Sequence, residues 1–400
     1  VPDTSRTLRA EAVVEAHRLA QGAGAESNIN RGDGTLAGLL VHEWIESSGG
    51  SENVLEAMAE AFPDADVQCL WTNAPQRLVG RKVLETWMAR TPLRRNKALA
   101  LPFTLPTWRS LKASRSYDWM LVSSHLFAHH AKLRGAVLPK YVYVHSPARY
   151  IWTPEYDERG ANAAVMAVAP VLKRIDRRRA AEPVAIAANS EFVRQRVQDA
   201  WQRDAVVIHP PVDVERITRI NEWTPQLNDD ERRLLAALPD VFLLGASRFI
   251  PYKRLDLVIE TAEAAGIPAV LAGRGPDLER LRAQAAAAAV PVEIMHSPSD
   301  ALLWSLYRRA SAFVFPAIED FGIVPVEAQA LGTPVVTGPV GGQLETFVDG
   351  TTGVVADSTE PTDLAAAVRR AVSLAPFDGP AVTARFSNAA FHEQIRDFVA

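Results

Sequence analysis

Ala312-Phe313-Val314-Phe315-Pro316-Ala317-Ile318-Glu319-Asp320-Phe321-Gly322-Ile323-Val324-Pro325-Val326-Glu327 is the stretch whose reading decides the fold of this 400-residue chain. Its first four residues, apolar and rich in β-branched and aromatic types, predict a strand buried on both faces. A carboxylate-bearing loop follows, and then a helix. Glu319 stands at the strand end, and Gly322 lets the backbone approach a ligand closely. The amides near Ile323 and Val324, at the helix start, are free to bind an anion such as phosphate. Glu327 lies one to two turns into the helix, where it can accept hydrogen bonds from ribose hydroxyls. The plain alternative is that Glu319 only supports the helix terminus electrostatically and Glu327 is a surface carboxylate.

The same strand, loop and helix succession recurs outward in both directions, which is the signature of parallel sheets covered by helices. Strands are predicted at Leu39–Val41, Val67–Leu70, Trp119–Ser123, Tyr141–His145, Val184–Ala188 and Ala205–Ile208. The pattern then pauses at His209-Pro210-Pro211-Val212-Asp213, where two prolines remove ladder donors. It restarts with strands near Val241–Leu244, Ala269–Leu271, Val292–Met295, Ala312–Phe315, Pro334–Thr337 and Val354–Val355. The expected organisation is an extension over 1–35 (a short helix and a flexible connector), an acceptor domain over 36–210, a donor domain over 211–380, and a final segment over 381–400. Its helix, Asn388–Val399, is amphipathic through Phe391, Ile395 and Val399 and is expected to pack back on the first domain. Two doubly wound domains place ligands in the cleft beyond their strand carboxyl ends.

A second loop matches the first in kind. Gly245-Ala246-Ser247-Arg248-Phe249-Ile250-Pro251-Tyr252-Lys253-Arg254 also joins a strand to a helix, and Arg248 with Lys253 can neutralise a diphosphate as it leaves. The alternative is a surface pair matched to acids such as Asp256. In the first half, Gly49-Gly50-Ser51-Glu52 opens a helix through Val54, Leu55 and Met58, where bare glycines can bring helix amides near a phosphate. His145 ends a strand in Tyr143-Val144-His145-Ser146-Pro147-Ala148-Arg149-Tyr150, where a ring donor can reach a bound sugar; a packing histidine is the commoner use of such a position. Asp64-Ala65-Asp66 sits at a helix-to-strand turn on the side away from strand carboxyl ends and reads as structural.

Bulk properties narrow the classes. Hydrophobic residues at 48% and charged residues at 22% fit a soluble globular protein of two domains. The lone Cys69 excludes an internal disulfide and a multi-cysteine metal cluster, and agrees with a cytoplasmic setting. The longest apolar run, about Ala163 to Leu172, is interrupted by Pro170 and falls short of a membrane span. Arg6, Arg9, Glu11, Glu15 and Arg18 make residues 5–20 unlike an export signal. The net charge is −4, yet residues 81–116 hold nine Lys and Arg against one acid, Glu85, with Trp87, Phe103 and Trp108 interleaved. That segment reads either as an anionic membrane contact at the inner face or as a solvated basic surface. Nucleic acid is not expected, because no recognition motif accompanies the charge and the sequence pI is about 6.2.

Taken together, these motifs resemble the retaining glycosyltransferases of family 4, with the GT-B fold, from about Leu36 onward. Glu319 and Glu327 match the family's E-x7-E motif, and Arg248 with Lys253 its diphosphate pair. Gly49-Gly50-Ser51-Glu52 looks like its glycine loop, Ala188-Asn189-Ser190-Glu191 like its Asn-Ser turn, and Val206 to Asp213 like its hinge. Within the family the chain looks most like bacterial GDP-mannose-dependent mannosyltransferases. Ser146 stands where Thr is more usual, and Ser51-Glu52-Asn53 varies the glycine loop. The resemblance implies that Glu319 and the amides around Phe321, Gly322 and Ile323 hold the donor sugar, with Val324 beside them. It places Glu327 at the ribose, Arg248 and Lys253 at the diphosphate, and His145 beside the anomeric carbon. Gly49 and Gly50 would approach the donor phosphates, and Arg149 and Tyr150 would lie on the acceptor side. The implied reaction needs no metal or cofactor; its partners are a nucleotide-sugar donor and a saccharide or lipid-linked acceptor. An epimerase or phosphorylase of similar architecture, and a silent nucleotide-sugar-binding subunit, are the competing readings. A dehydrogenase is disfavoured, since Gly273-Arg274-Gly275-Pro276 lacks the third glycine of a dinucleotide fingerprint.

Overall fold

Apolar runs too short for helices pair as parallel strands in the computed structural model, which describes residues 36–154, 163–220 and 222–400. The first sheet holds β1 (Gly38–His42), β2 (Asp66–Cys69), β3 (Val83–Glu85), β4 (Trp119–Ser124), β5 (Lys140–Val144), β6 (Ala185–Ala188) and β7 (Val206–Val207). Its order is β3-β2-β1-β4-β5-β6-β7. The second holds β8 (Leu243–Ala246), β9 (Ala269–Gly273), β10 (Val292–His296), β11 (Ala312–Phe315), β12 (Val335–Thr337) and β13 (Gly353–Val355), in the order β10-β9-β8-β11-β12-β13. Each predicted strand is present, with ends shifted by a residue or two. The sequence reading missed β3, a three-residue edge strand in register with Val67–Cys69 that has no apolar run to announce it.

Both sheets are buried on both faces, as parallel sheets require. Leu39, Val41, Met120, Val122, Val142 and Val144 enter one core cluster, while Leu40, Val67, Leu121, Tyr141 and Tyr143 enter the other. The second sheet divides in the same way, with Leu244, Phe313 and Phe315 on one side and Leu243, Val314 and Val336 on the other. Adjacent residues of a strand point to opposite faces, so each apolar run supplies two cores. The first sheet ends at Val207 and the second begins at Leu243, with His209–Asp213 between them. The Asn388–Val399 helix buries Phe391, Ile395 and Val399 in a cluster that also holds Val54 and Met58, and Arg396 Nε donates to the Ala61 carbonyl at 3.0 Å. Each such buried side chain contributes about 1.5–3 kcal/mol, so the chain's last helix is firmly held to the first sheet.

Strand order reverses direction between β1 and β4 in the first sheet and between β8 and β11 in the second. Ligands of open parallel sheets bind at the carboxyl ends on either side of such a reversal. The carboxyl ends of these four strands and the loops that follow carry His42 and Glu43, Ser124 and His125, Ser247 and Arg248, and Glu319 and Asp320. The two sheets belong to one compact unit, Ala37–Ala400. The helix and connector expected over 1–35 lie outside the described residues. Among the described residues, no helix is long and apolar enough to cross a membrane.

Candidate functional site

The loop after β11 is bound at every turn. Glu319 accepts an ion pair from Lys253 Nζ, its amide donates to Gln343 Oε1 at 3.1 Å, and its carbonyl accepts from Gly342 at 2.7 Å. Lys253 ends a single 3-10 turn, Pro251–Lys253, and is buried; Arg254 then takes the left-handed conformation before the Leu255–Ala265 helix begins. It is Arg254, not Lys253, that pairs with Asp256, at 3.3 Å. Arg248 sits exposed at the rim, donating to the Tyr252 hydroxyl at 3.0 Å. The structure therefore splits the two predicted cations: one is buried against Glu319 and the other is exposed and bound to Tyr252.

Gly322 opens the Ile323–Ala330 helix at φ 105, a conformation that favours glycine, and a Cβ there would lie 2.9 Å from Gln343 Cβ. The helix has no side-chain cap, so the amides of Ile323 and Val324 face the cleft mouth without a side-chain acceptor. Gly50 lies opposite: a Cβ added to it would come 3.1 Å from Ile323 Cδ1, and Gly49 precedes it in extended backbone. The glycine pair and the start of the Ile323–Ala330 helix thus meet across the cleft. Phe321 does not project into it; its ring packs on His209 and Phe386 near the chain crossover, leaving its backbone as the part that borders the site.

Glu327 is partly buried and lines a pocket of about 280 Å³ with Asn53, Glu56, Asp213, Arg216 and Asn388. Burial, reinforced by Asp300, pushes its carboxyl up to about 8, so it carries a proton at neutral pH. It is not a surface carboxylate. A protonated carboxyl both donates and accepts, which suits a pair of vicinal hydroxyls.

In the first sheet, His145 Nε2 lies 2.8 Å from Ser123 Oγ, which in turn lies 3.0 Å from His42 Nδ1. The His42, His125 and His145 rings are within 5.5–6.5 Å of one another. Burial, with the neighbouring rings, holds His145 well below its ordinary pKa and His42 at about 4, so both are neutral near pH 7. Glu43, fully buried, accepts from the amides of Leu126 and Ala128 at 2.9 Å and from His125 at 3.2 Å, which fixes the loop that carries His125. The sequence reading did not single out His42, Glu43, Ser123 or His125. Their signal was position, since all four lie at or just past the carboxyl ends of the two strands that flank the reversal.

Arg149 opens the Arg149–Trp152 helix and reaches across the cleft to Asp320, with Nε at 3.1 Å. Arg196 Nη1 joins the same carboxylate at 2.6 Å, and Ser190 Oγ donates to the Asp320 carbonyl. Burial disfavours the Arg149 charge, but Asp320 with Glu319 behind it outweighs that and raises its pKa above the usual arginine value. A second bridge is Glu345, which accepts from the amides of Glu191 and Phe192 at 2.8 and 3.0 Å and from His209 at 3.2 Å. Tyr150 lies with its ring buried against Phe127 in the core of the first sheet, so of the two expected acceptor-side residues only Arg149 reaches the cleft.

Two clusters have spacing that would admit a cation among the described residues, His42-Glu43-His125 and His129-His130-Asp176. In each, protein donors already occupy the carboxylate; Asp176 takes the Trp152 and Trp201 indoles at 2.7 Å as well as His130 at 2.9 Å. Asp66 is held by Tyr117, Arg115 and Lys82 at the amino end of β2, a structural position. The basic segment 81–116 is partly paired: Lys82, Lys97, Arg109 and Arg115 pair with Asp66, Glu46, Glu182 and Asp66, while Arg81 and Arg94 donate to backbone carbonyls. Trp108 is fully buried, whereas Trp87, Leu99 and Phe103 are exposed.

Opposed carboxyl edges of two parallel sheets, with a Lys-Glu pair on one side and a glycine loop on the other, define a class. Residues 48–216 match the family described as Glycosyltransferase Family 4, and residues 228–390 match Glycosyl transferases group 1. The chain thus joins a Glycosyltransferase Family 4 domain to a Glycosyl transferases group 1 domain in the GT-B architecture. It is 34% identical over 204 residues to a D-inositol 3-phosphate glycosyltransferase of Geodermatophilus obscurus, covering 46% of this chain and 44% of that one. It is 30% identical over 197 residues to a GDP-mannose-dependent alpha-(1-6)-phosphatidylinositol monomannoside mannosyltransferase of Mycolicibacterium smegmatis, covering 45% and 50%. These matches span about half the length of the curated relatives. In overall fold it resembles the Anabaena protein HepE, solved with UDP and glucose, at a TM-score of 0.65 and 18% identity, covering 90% of this chain and 98% of that one.

Proposed function

We propose that the chain is a retaining glycosyltransferase that moves a hexose, mannose from GDP-mannose, to a lipid-linked or saccharide acceptor in glycolipid or cell-surface polysaccharide synthesis. The observation that carries this reading is the convergence of Lys253-Glu319, the uncapped Ile323 helix start and the Glu327 pocket on one cleft, facing Gly50. The diphosphate sits at the helix amides and exchanges with Glu319 for Lys253, while exposed Arg248 folds in from the rim. Both cations then stabilise the charge that develops as the anomeric carbon–oxygen bond breaks. The acceptor oxygen bonds to the anomeric carbon on the same face, and its proton passes to the leaving phosphate oxygen. Neutral His145, held by Ser123, contributes a ring beside the sugar, and Glu327 takes the ribose hydroxyls. Arg248 and Lys253 fill the role that a metal fills in other transferases, so the proposal includes metal-independent turnover.

The acceptor reading follows the phosphatidylinositol monomannoside relative. A cytoplasmic position with contact at the inner membrane face through residues 81–116 belongs to it, supported by exposed Trp87, Leu99 and Phe103. A UDP-sugar donor is the second reading, favoured by the fold neighbour solved with UDP-glucose. Calorimetric titration with GDP-mannose, UDP-glucose and UDP-N-acetylglucosamine, with and without a chelator, separates them. Chelator-insensitive preference for GDP-mannose supports the first reading, preference for a UDP-sugar replaces the donor, and no binding to any overturns the proposal.

A further inference from the structure

The two strands that flank the reversal in the first sheet, β1 and β4, end on a cluster that the proposed transfer leaves unused. One ligand-type atom from each of His42, Glu43 and His125 lies within 4.8 Å of the other two. His42 Nδ1 is held 3.0 Å from Ser123 Oγ, whereas His42 Nε2 is buried and has no hydrogen-bond partner among the described residues. A buried ring nitrogen left in that state is rare in a folded protein and points to a group that the chain itself does not supply.

Glu43 uses its two oxygens differently. Oε1 takes the amides of Leu126 and Ala128 at 2.9 Å, that of His125 at 3.2 Å and the Ser124 hydroxyl at 3.3 Å. Oε2 receives the His125 amide at a longer 3.3 Å and faces His125 Nδ1 at 3.1 Å. Trp44 packs edge to face on the His125 ring, with centroids 5.2 Å apart. Ser123 thus fixes the far nitrogen of His42, and the Leu126 and Ala128 amides fix the far oxygen of Glu43, as the supporting groups of a metal site do. A tetrahedral ion with bonds of about 2.0–2.1 Å sets its ligand atoms roughly 3.3 Å apart. Glu43 Oε2 and His125 Nδ1 already stand near that separation, and the widest pair in the cluster closes by about 1.5 Å at most. His125, whose side chain is 25% exposed, supplies both the adjustment and the way in. Arg77, a cation whose field reaches His42, is itself paired with Glu56 at 2.8 Å. The other such cluster, His129-His130-Asp176, is fully buried, and its carboxylate is taken at Oδ1 by His130 and at Oδ2 by two indoles.

We propose that His42 Nε2, Glu43 Oε2 and His125 Nδ1 bind one divalent transition cation of the zinc class at the first-sheet wall of the cleft, with water in the fourth position. Two imidazoles and a carboxylate select zinc or cobalt over magnesium and calcium, which take oxygen ligands. The ion is accessory to the proposed transfer, in which Arg248 and Lys253 carry the charge stabilisation. Its binding rests on the geometry of the first sheet alone, so it stands or falls separately from the transferase reading.

The test is titration of the full chain, first stripped with a chelator, with zinc chloride by calorimetry and with cobalt chloride by visible absorption. One equivalent of zinc is expected to bind, and cobalt is expected to show the intense d–d bands of four- or five-coordinate metal, while magnesium and calcium give no binding. His125→Gln, at the partly exposed ligand, is expected to abolish the cobalt bands and weaken zinc binding by at least about a hundredfold. Ser123→Ala, which frees the far nitrogen of His42, is expected to weaken it about tenfold to a hundredfold. His296→Gln, at an exposed histidine of the second sheet, is expected to leave both signals unchanged. Circular dichroism confirms folding of each variant, and the wild-type cobalt spectrum with His125→Gln decides the matter should Ser123→Ala fail to fold. No zinc binding, cobalt bands of six-coordinate metal, equal binding of magnesium, or zinc binding unchanged in His125→Gln overturns the proposal. So does a loss confined to His296→Gln, which would place the ion on the second sheet.

Discussion

Arg149 and Asp320 are ion-paired across the cleft, with Arg149 Nε 3.1 Å from Asp320 Oδ2, and Arg196 grips the same carboxylate from a second helix. One residue earlier in the chain, Glu319 holds Lys253. The two adjacent carboxylates therefore face different ways: Asp320 ties the two sheets together, and Glu319 stays on its own side with the cation expected to meet the diphosphate. Asp320→Asn removes the charge shared by both arginines. It is expected to lower stability by about 2 kcal/mol, the scale of a hydrogen bond to a charged group, and to raise the donor KM. Urea denaturation and steady-state kinetics check the two effects separately.

Gly50 has only its neighbour across the cleft to contend with, since Ile323 Cδ1 is the one contact a new Cβ would make. Gly50→Ala is expected to be tolerated by a rotamer change at Ile323. Gly50→Val adds bulk that the cleft must open to admit, with an expected loss of about tenfold or more in donor affinity and little change in melting temperature. Titration of both variants with the preferred nucleotide sugar reads this directly.

Glu327 makes stability depend on pH. Its carboxyl is raised from 4.5 to about 8 in the folded chain, chiefly by burial and then by Asp300, so the folded state holds a proton that the unfolded state releases. Its contribution to stability is fully present below 4.5, is lost as pH climbs from there to about 8, and changes no further above that. Melting curves across this window are expected to fall more steeply for the wild type than for Glu327→Gln. Parallel slopes would remove Glu327 from its buried setting.

Glu43 tests whether the first sheet's histidines depend on their loop. Glu43→Gln puts an amide that carries its own donors before three backbone donors, those of His125, Leu126 and Ala128. The expected cost is roughly 2–4 kcal/mol by chemical denaturation, because buried donors lose a charged acceptor. The His145 ring signals in an NMR spectrum are expected to shift, since the moved loop carries His125 beside it.

The fold was legible because a buried parallel strand favours a continuous apolar run, and Ala312–Phe315 or Leu39–Val41 can be little else. β3 was not, because an edge strand of three residues between Lys82 and Thr86 buries little. Motif residues of the second sheet were legible as local patterns: Lys253 and Glu319 lie in the loops that follow two strands, and Glu327 lies in the helix that the second loop opens. The cross-cleft partners were not. Asp320 meets Arg149 and Arg196 from 171 and 124 residues away, and Ser123 links His42 to His145, pairings that only the chain's path creates. The partners of the basic segment were hidden for a related reason, since local charge does not reveal that Arg109 folds onto Glu182.

The central claim is that Lys253 and Arg248 stabilise a departing nucleoside diphosphate. Its most direct measurement is the initial rate of nucleotide release from the preferred donor, in the presence of an acceptor, by the Arg248→Ala and Lys253→Ala double variant, with circular dichroism confirming that it is folded. The account predicts a fall of about a hundredfold to a thousandfold in kcat. A folded double variant that turns over at the wild-type rate would contradict it.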